Sequence, residues 1–134
     1  MGLFHAVVWL DHSQAHVIHF NRDTDQRQLV NSSRGVTHQH HHTGAIGPGR
    51  ALPDTAFFDA IARALGDAEE ILVAGPASAK QEFLAHVERQ HRDMHRRIVA
   101  VEPLDHPTDN QLLAHARRYF ERVDRMRGVP TNMT

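Results

Sequence analysis

In Glu70–Phe83, EILVAGPASAKQEF, a short apolar run stops at Gly-Pro and is followed at once by a helix-start signal. Ile71 to Ala74 suits a strand buried on both faces, and Gly75-Pro76 ends it. Ser78 is a capping residue type, and Phe83, Leu84 and Val87 recur on one helical stripe. The same alternation continues on either side. Upstream, Asp54 or Thr55 can cap a helix whose Phe58, Ile61, Ala62 and Leu65 share a face and which stops at Gly66. Downstream, Arg97 to Val101 reads as a strand. Thr108 with Gln111 forms a capping box for a helix carrying Leu112, Leu113, Ala116, Tyr119, Phe120 and Val123 inward. Strands that alternate with helices demand right-handed parallel crossovers.

The first third of the chain is built differently. Leu3 to Leu10 is nearly all apolar and reads as a central strand. Asp11-His12-Ser13 makes a turn, Gln14 to Phe20 a second strand, Asn21 to Asp25 another turn, and Arg27 to Asn31 a third strand, giving an antiparallel meander. The order β-β-β-α-β-α-β-α predicts an α/β domain with a five-stranded mixed sheet, order 3-2-1-4-5, and helices on both faces. That is the ribonuclease H-like arrangement. One domain is expected over residues 1–127, with a His/Gly-rich loop at 36–52 and a flexible tail at 128–134.

With 134 residues, 40% hydrophobic and 23% charged, the composition is that of a single globular domain. The net charge of -1 gives no overall basic field, so DNA is not an expected partner. Lys80 is the only lysine among fifteen basic residues. Arginine's planar fork suits phosphate, although a GC-rich genome explains the bias equally well. The absence of cysteine excludes disulfides and thiol chemistry and fits a reducing compartment. The start MGLFHAVVWLD lacks a basic n-region and a cleavage site, and reads as a core strand rather than a signal or membrane span. A cytoplasmic location is expected, and self-association as a homodimer through a sheet edge or the last helix stays open.

The segment Val36–Arg50, VTHQHHHTGAIGPGR, is where function is expected, because four histidines and three glycines have no core to build. If the chain is extended there, His38, His40 and His42 share one face and His41 takes the other. The first three can hold a divalent transition metal, zinc or similar. Alternatively, His40, His41, His42 and Arg50 flank free backbone N–H groups at Gly44, Gly47 and Gly49, a cradle for RNA phosphate. The Walker pattern is absent, since Arg50-Ala51 stands where Lys-Ser is required.

Other positions carry weaker signals. A polar crevice is expected at the carboxyl ends of the parallel strands, from Asp11, His12, Lys80, Asp105 and His106, with Ser78 and Asp109 nearby. Asp11-His12-Ser13 is no triad, because neighbouring residues point apart. Two-metal nuclease chemistry needs carboxylates on the first and fourth strands, and LFHAVVWL and ILVAG have none. His91 and His95 are i, i+4 partners if the second helix extends that far. The basic run Arg89, Arg92, Arg96 and Arg97 can form an RNA stripe only if it lies beside the His/Gly loop.

Three segments carry a family resemblance: VVWLDHSQAHVIHF (Val7–Phe20), EILVAGPASAKQEF (Glu70–Phe83) and VEPLDHPTDNQLLAHARRYF (Val101–Phe120). Through them the chain resembles the central domain of eukaryotic and archaeal peptide-chain release factors and of Pelota. It looks most like small bacterial translational machinery proteins, and more distantly like the host-attachment protein family. In release factors the loop after the third strand bears a Gly-Gly-Gln tripeptide that promotes peptidyl-tRNA hydrolysis. Here that position reads Thr43-Gly44-Ala45-Ile46-Gly47-Pro48-Gly49-Arg50, without the tripeptide. The resemblance therefore implies a non-enzymatic, ribosome- or RNA-associated protein of the translation machinery, with no peptidyl-tRNA hydrolysis. A metal-binding protein or metal-dependent hydrolase built on His38–His42 is the alternative.

Overall fold

The computed structural model describes residues 3–32 and 54–126. Five strands, β1 (His5–Leu10), β2 (Gln14–Phe20), β3 (Asp25–Asn31), β4 (Glu70–Gly75) and β5 (Ile98–Pro103), form one sheet in the order β3-β2-β1-β4-β5. β1 pairs antiparallel with β2 and parallel with β4, while β4 pairs parallel with β5. The helices are α1 (Thr55–Leu65), α2 (Ala79–Gln90), α3 (Arg92–Arg97) and α4 (Asp109–Met126). None of the described helices is long and apolar enough to cross a membrane.

Alternation along β1 sends successive side chains to opposite faces, and both faces are covered. Ala6, Val8 and Leu10 pack with Phe58, Ile61, Phe83, Val87 and Met94 under α1, α2 and α3. Val7 and Trp9 pack with Ile18, Phe20, Leu112, Ala116 and Phe120 under α4. This explains why every residue of β1 is buried and why its sequence is a continuous apolar run rather than an alternating one.

The local signals act as their chemistry requires. Thr108 N–H donates to Gln111 Oε1 at 2.9 Å and Gln111 N–H donates back to Thr108 Oγ1 at 3.1 Å, a reciprocal capping box. α1 ends at Gly66, whose φ of 58° suits glycine. Ser78 stands at the start of α2 without a side-chain cap bond; its hydroxyl instead reaches Glu82 Oε2 at 3.4 Å.

Asp54 has two duties. Its Oδ1 accepts from Phe57 N–H at 3.1 Å, capping α1, and its Oδ2 accepts from Ser32 Oγ at 2.6 Å. Ser32 N–H donates to Ser13 carbonyl at 2.9 Å. The two residues that bound the segment 33–53 are thus held together, next to the β1–β2 turn. Asp54→Ala removes a cap and unties this junction, and is expected to destabilise the fold by about 1–2 kcal/mol, read as a lowered urea midpoint.

One expectation is revised. α2 stops at Gln90, so His91 and His95 do not share one helix; His91 lies between α2 and α3. Arg97 is bound to the carbonyls of Gly66 and Ala68 at the amino end of β4 and β5. Its run of arginines therefore lies at the opposite sheet edge from the Ser32–Asp54 junction, while the His/Gly loop itself lies outside the described residues.

Candidate functional site

The parallel strands β1, β4 and β5 release their chains at Leu10, Gly75 and Pro103, on the edge that also holds the Ser32–Asp54 junction. Here the sheet gathers a polar cluster. The β1–β2 turn is built by Asp11, whose Oδ1 accepts from Ser13 N–H at 2.8 Å and Gln14 N–H at 2.9 Å. Its other oxygen, Oδ2, lies 3.7 Å from His106 Nε2, and His106 Nδ1 is 3.0 Å from Asp105 Oδ1. Trp9 forms the floor. Its indole Nε1–H donates to the carbonyls of Asp105 at 2.6 Å and Leu104 at 3.0 Å, and its ring lies 4.8 Å from His106. His16 Nδ1 meets Asp109 Oδ1 at 3.0 Å beside the same indole.

Of the crevice residues named from sequence, Asp11, Asp105 and His106 are brought together. His12 is at the same edge but turns to Glu82, with its Nε2 3.3 Å from Oε1. Lys80 is buried and its ammonium donates to the Ala77 carbonyl at 2.5 Å, so its charge is spent on the first turn of α2 rather than in the crevice. The loop residues His38, His40, His41, His42, Gly44, Gly47, Gly49 and Arg50 lie outside the described residues, as does the tail at 128–134.

A second cluster takes in His91, but joins it to Asp59 and His86 rather than to His95. Asp59 on α1 accepts at Oδ1 from His86 Nε2 at 2.7 Å and from His91 Nε2 at 2.9 Å. The two imidazoles are 5.6 Å apart, and His86 is buried against Phe58. The hydrogen bond from His86, then that from His91, holds the Asp59 carboxyl below its ordinary value. The cluster faces an open cleft whose walls include Thr55, Arg63 and Arg89.

At the amino edge of the sheet, His5 is buried between Phe20 and Phe120, with its Nε2 3.2 Å from Glu70 Oε1. Burial pushes its pKa below 6.5, against the raising effect of Glu70 and Asp124.

No protein-family model and no curated protein matches this sequence. Solved structures do. Pelota of Archaeoglobus fulgidus superposes with a TM-score of 0.62 at 17% identity, over 92% of this chain and 33% of that one. The fold is that of the Pelota central domain. An archaeal translation termination factor matches at a TM-score of 0.54 and 12% identity, over 92% of this chain and 39% of its own. Dom34 of Saccharomyces cerevisiae, a translation termination-like factor involved in RNA quality control and interacting with Hbs1, matches at a TM-score of 0.53 and 12% identity, over 82% and 31% respectively. The chain thus spans about a third of the length of the Pelota and Dom34 structures it resembles.

Proposed function

We propose that this chain is a non-enzymatic, ribosome- or RNA-associated protein of the translation machinery, and that it contacts RNA through residues 36–52. The observation that carries the reading is the Pelota-like fold across nearly the whole chain. The Ser32–Asp54 hydrogen bond supports the placement of the contact, since it fixes both ends of the segment at the edge that also bears the His106 cluster. Histidine and arginine side chains around Gly44, Gly47 and Gly49 offer donors to phosphate oxygens without needing a basic domain. The missing Gly-Gly-Gln removes the group that would make the contact hydrolytic.

The test is co-sedimentation of untagged protein with ribosomes over a salt series, with and without chelator. Binding that weakens steeply with salt and survives chelation is the expected result. Replacing His40, His41, His42 and Arg50 by alanine should weaken it roughly tenfold or more, with an unaltered melting temperature. Undiminished binding by that variant overturns the assignment to the loop. Binding abolished by chelator would instead favour a metal-bridged contact through His38, His40 and His42.

A further inference from the structure

We infer that Asp59, His86 and His91 form a binding site for a zinc-class divalent cation, separate from the histidines of residues 36–52. Among the described residues they are the one set of three metal-ligating side chains whose ligand atoms converge, all within 4.8 Å of one another. Two imidazoles and a carboxylate suit zinc and its neighbours in the first transition row.

The backbone builds this convergence. Asp59 lies in the second turn of α1, and His86 in the second half of α2. A continuous helix would carry His91 past this point. Instead α2 terminates at Gln90, and His91 adopts φ -140° and ψ 61°, which brings its ring back onto the same carboxylate oxygen that His86 meets. Its N–H caps α2 at Val87 carbonyl, 2.8 Å, and its carbonyl accepts from His95 N–H at 3.0 Å. The break between α2 and α3 is thus the feature that completes the ligand set.

The two histidine–carboxylate pairs need move little to admit an ion. Ligand atoms around tetrahedral zinc stand about 3.3 Å apart when each bond is about 2.0–2.1 Å. The present 2.7 and 2.9 Å separations need to open by only about half an ångström. On binding, the proton that each neutral imidazole donates from Nε2 to Asp59 moves to Nδ1 and Nε2 turns to the ion, a change of tautomer that creates no charge in the fold. The Asp59 and His91 side chains are 40% and 32% exposed, which leaves a path for the ion and a coordination position open to water. Three protein ligands plus one open position is the pattern of a zinc site that exchanges a ligand rather than a closed structural one.

The experiment is a calorimetric titration of the full, untagged chain with Zn²⁺, repeated with Co²⁺ followed by its visible absorption. It is run on the natural sequence and on a variant with His38, His40, His41 and His42 replaced by alanine, which isolates the site from the loop. The loop variant should retain about one equivalent of zinc and gain thermal stability from it. In that background Asp59→Asn and His91→Ala should each raise the dissociation constant beyond the roughly 10–100-fold that loss of an outer-shell partner costs. His95→Ala should leave it unchanged. Both test residues are partly exposed, and the buried His86 is left intact so that folding is retained. A loop variant that takes up no zinc, or cluster variants that bind it as tightly as their background, would overturn the site. Either result leaves the ribosome reading unaffected.

Discussion

Trp9→Ala should destabilise the fold by about 3–5 kcal/mol, the range for removing a large buried aromatic side chain. Native domains have only about 5–15 kcal/mol in total, so much of the stability would go with this one residue. The indole is 3% exposed and packs with Leu112 and Ala116 of α4. It also donates to both the Leu104 and Asp105 carbonyls, which lie on the link between β5 and α4. Trp9→Phe separates the two contributions. It keeps most of the packing and removes the donor, leaving two carbonyls without their partner, for an expected loss of about 1–3 kcal/mol. The His106 ring rests 4.8 Å from this indole, so Trp9→Phe should also shift its imidazole resonances in NMR spectra. Urea denaturation of both variants gives the ledger. If Trp9→Phe proved as stable as the natural chain, the indole donor would have no part in fixing the carboxyl edge.

How much was legible follows from range. Features decided within a few residues were readable: the bounds of β2, the Thr108–Gln111 box, the Asp54 cap and the Gly66 stop all depend on neighbours three or four positions apart. The sheet order also followed, because an apolar β1 must be central and parallel crossovers have one hand. β3 begins at Asp25 rather than Arg27, since its exposed side chains carry no apolar alternation to mark the start. The Asp59–His86–His91 cluster was not legible. His86 and His91 lie 27 and 32 positions from Asp59, and each taken alone looks like a polar residue on the outer face of an amphipathic helix. The one signal was His91-His95 spacing, and it pointed to the wrong partner because nothing local announces that α2 ends at Gln90. Lys80 misled for the opposite reason. A cation near the carboxyl edge suggests a ligand, yet its stem is long enough to turn back onto the carbonyl of Ala77.

The second large effect is expected at Gly75, the last residue of β4. A Cβ built there would stand 2.3 Å from the carbonyl oxygen of Leu10 and 3.4 Å from its carbon. The obstacle is backbone, and Leu10 is fully buried, so no side chain can swing away to make room. Gly→Ala normally stabilises a strain-free position by about 0.4–1 kcal/mol through the unfolded chain. Here the clash dominates, and Gly75→Ala should destabilise by about 3 kcal/mol, the upper end of the range for overpacking. The urea midpoint should fall with no change in slope, the signature of altered stability without altered compactness. The consequence reaches the site. Gly75 carbonyl accepts from Leu104 N–H at 3.0 Å, and Leu104 leads into Asp105 and His106. Parting β1 from β4 at this edge would therefore pull the link that presents His106 to Asp11. An unchanged midpoint in Gly75→Ala would mean that β1 and β4 separate there without loss. Two strands so loosely joined could not hold Asp11 and His106 in a fixed relation to the Ser32–Asp54 junction.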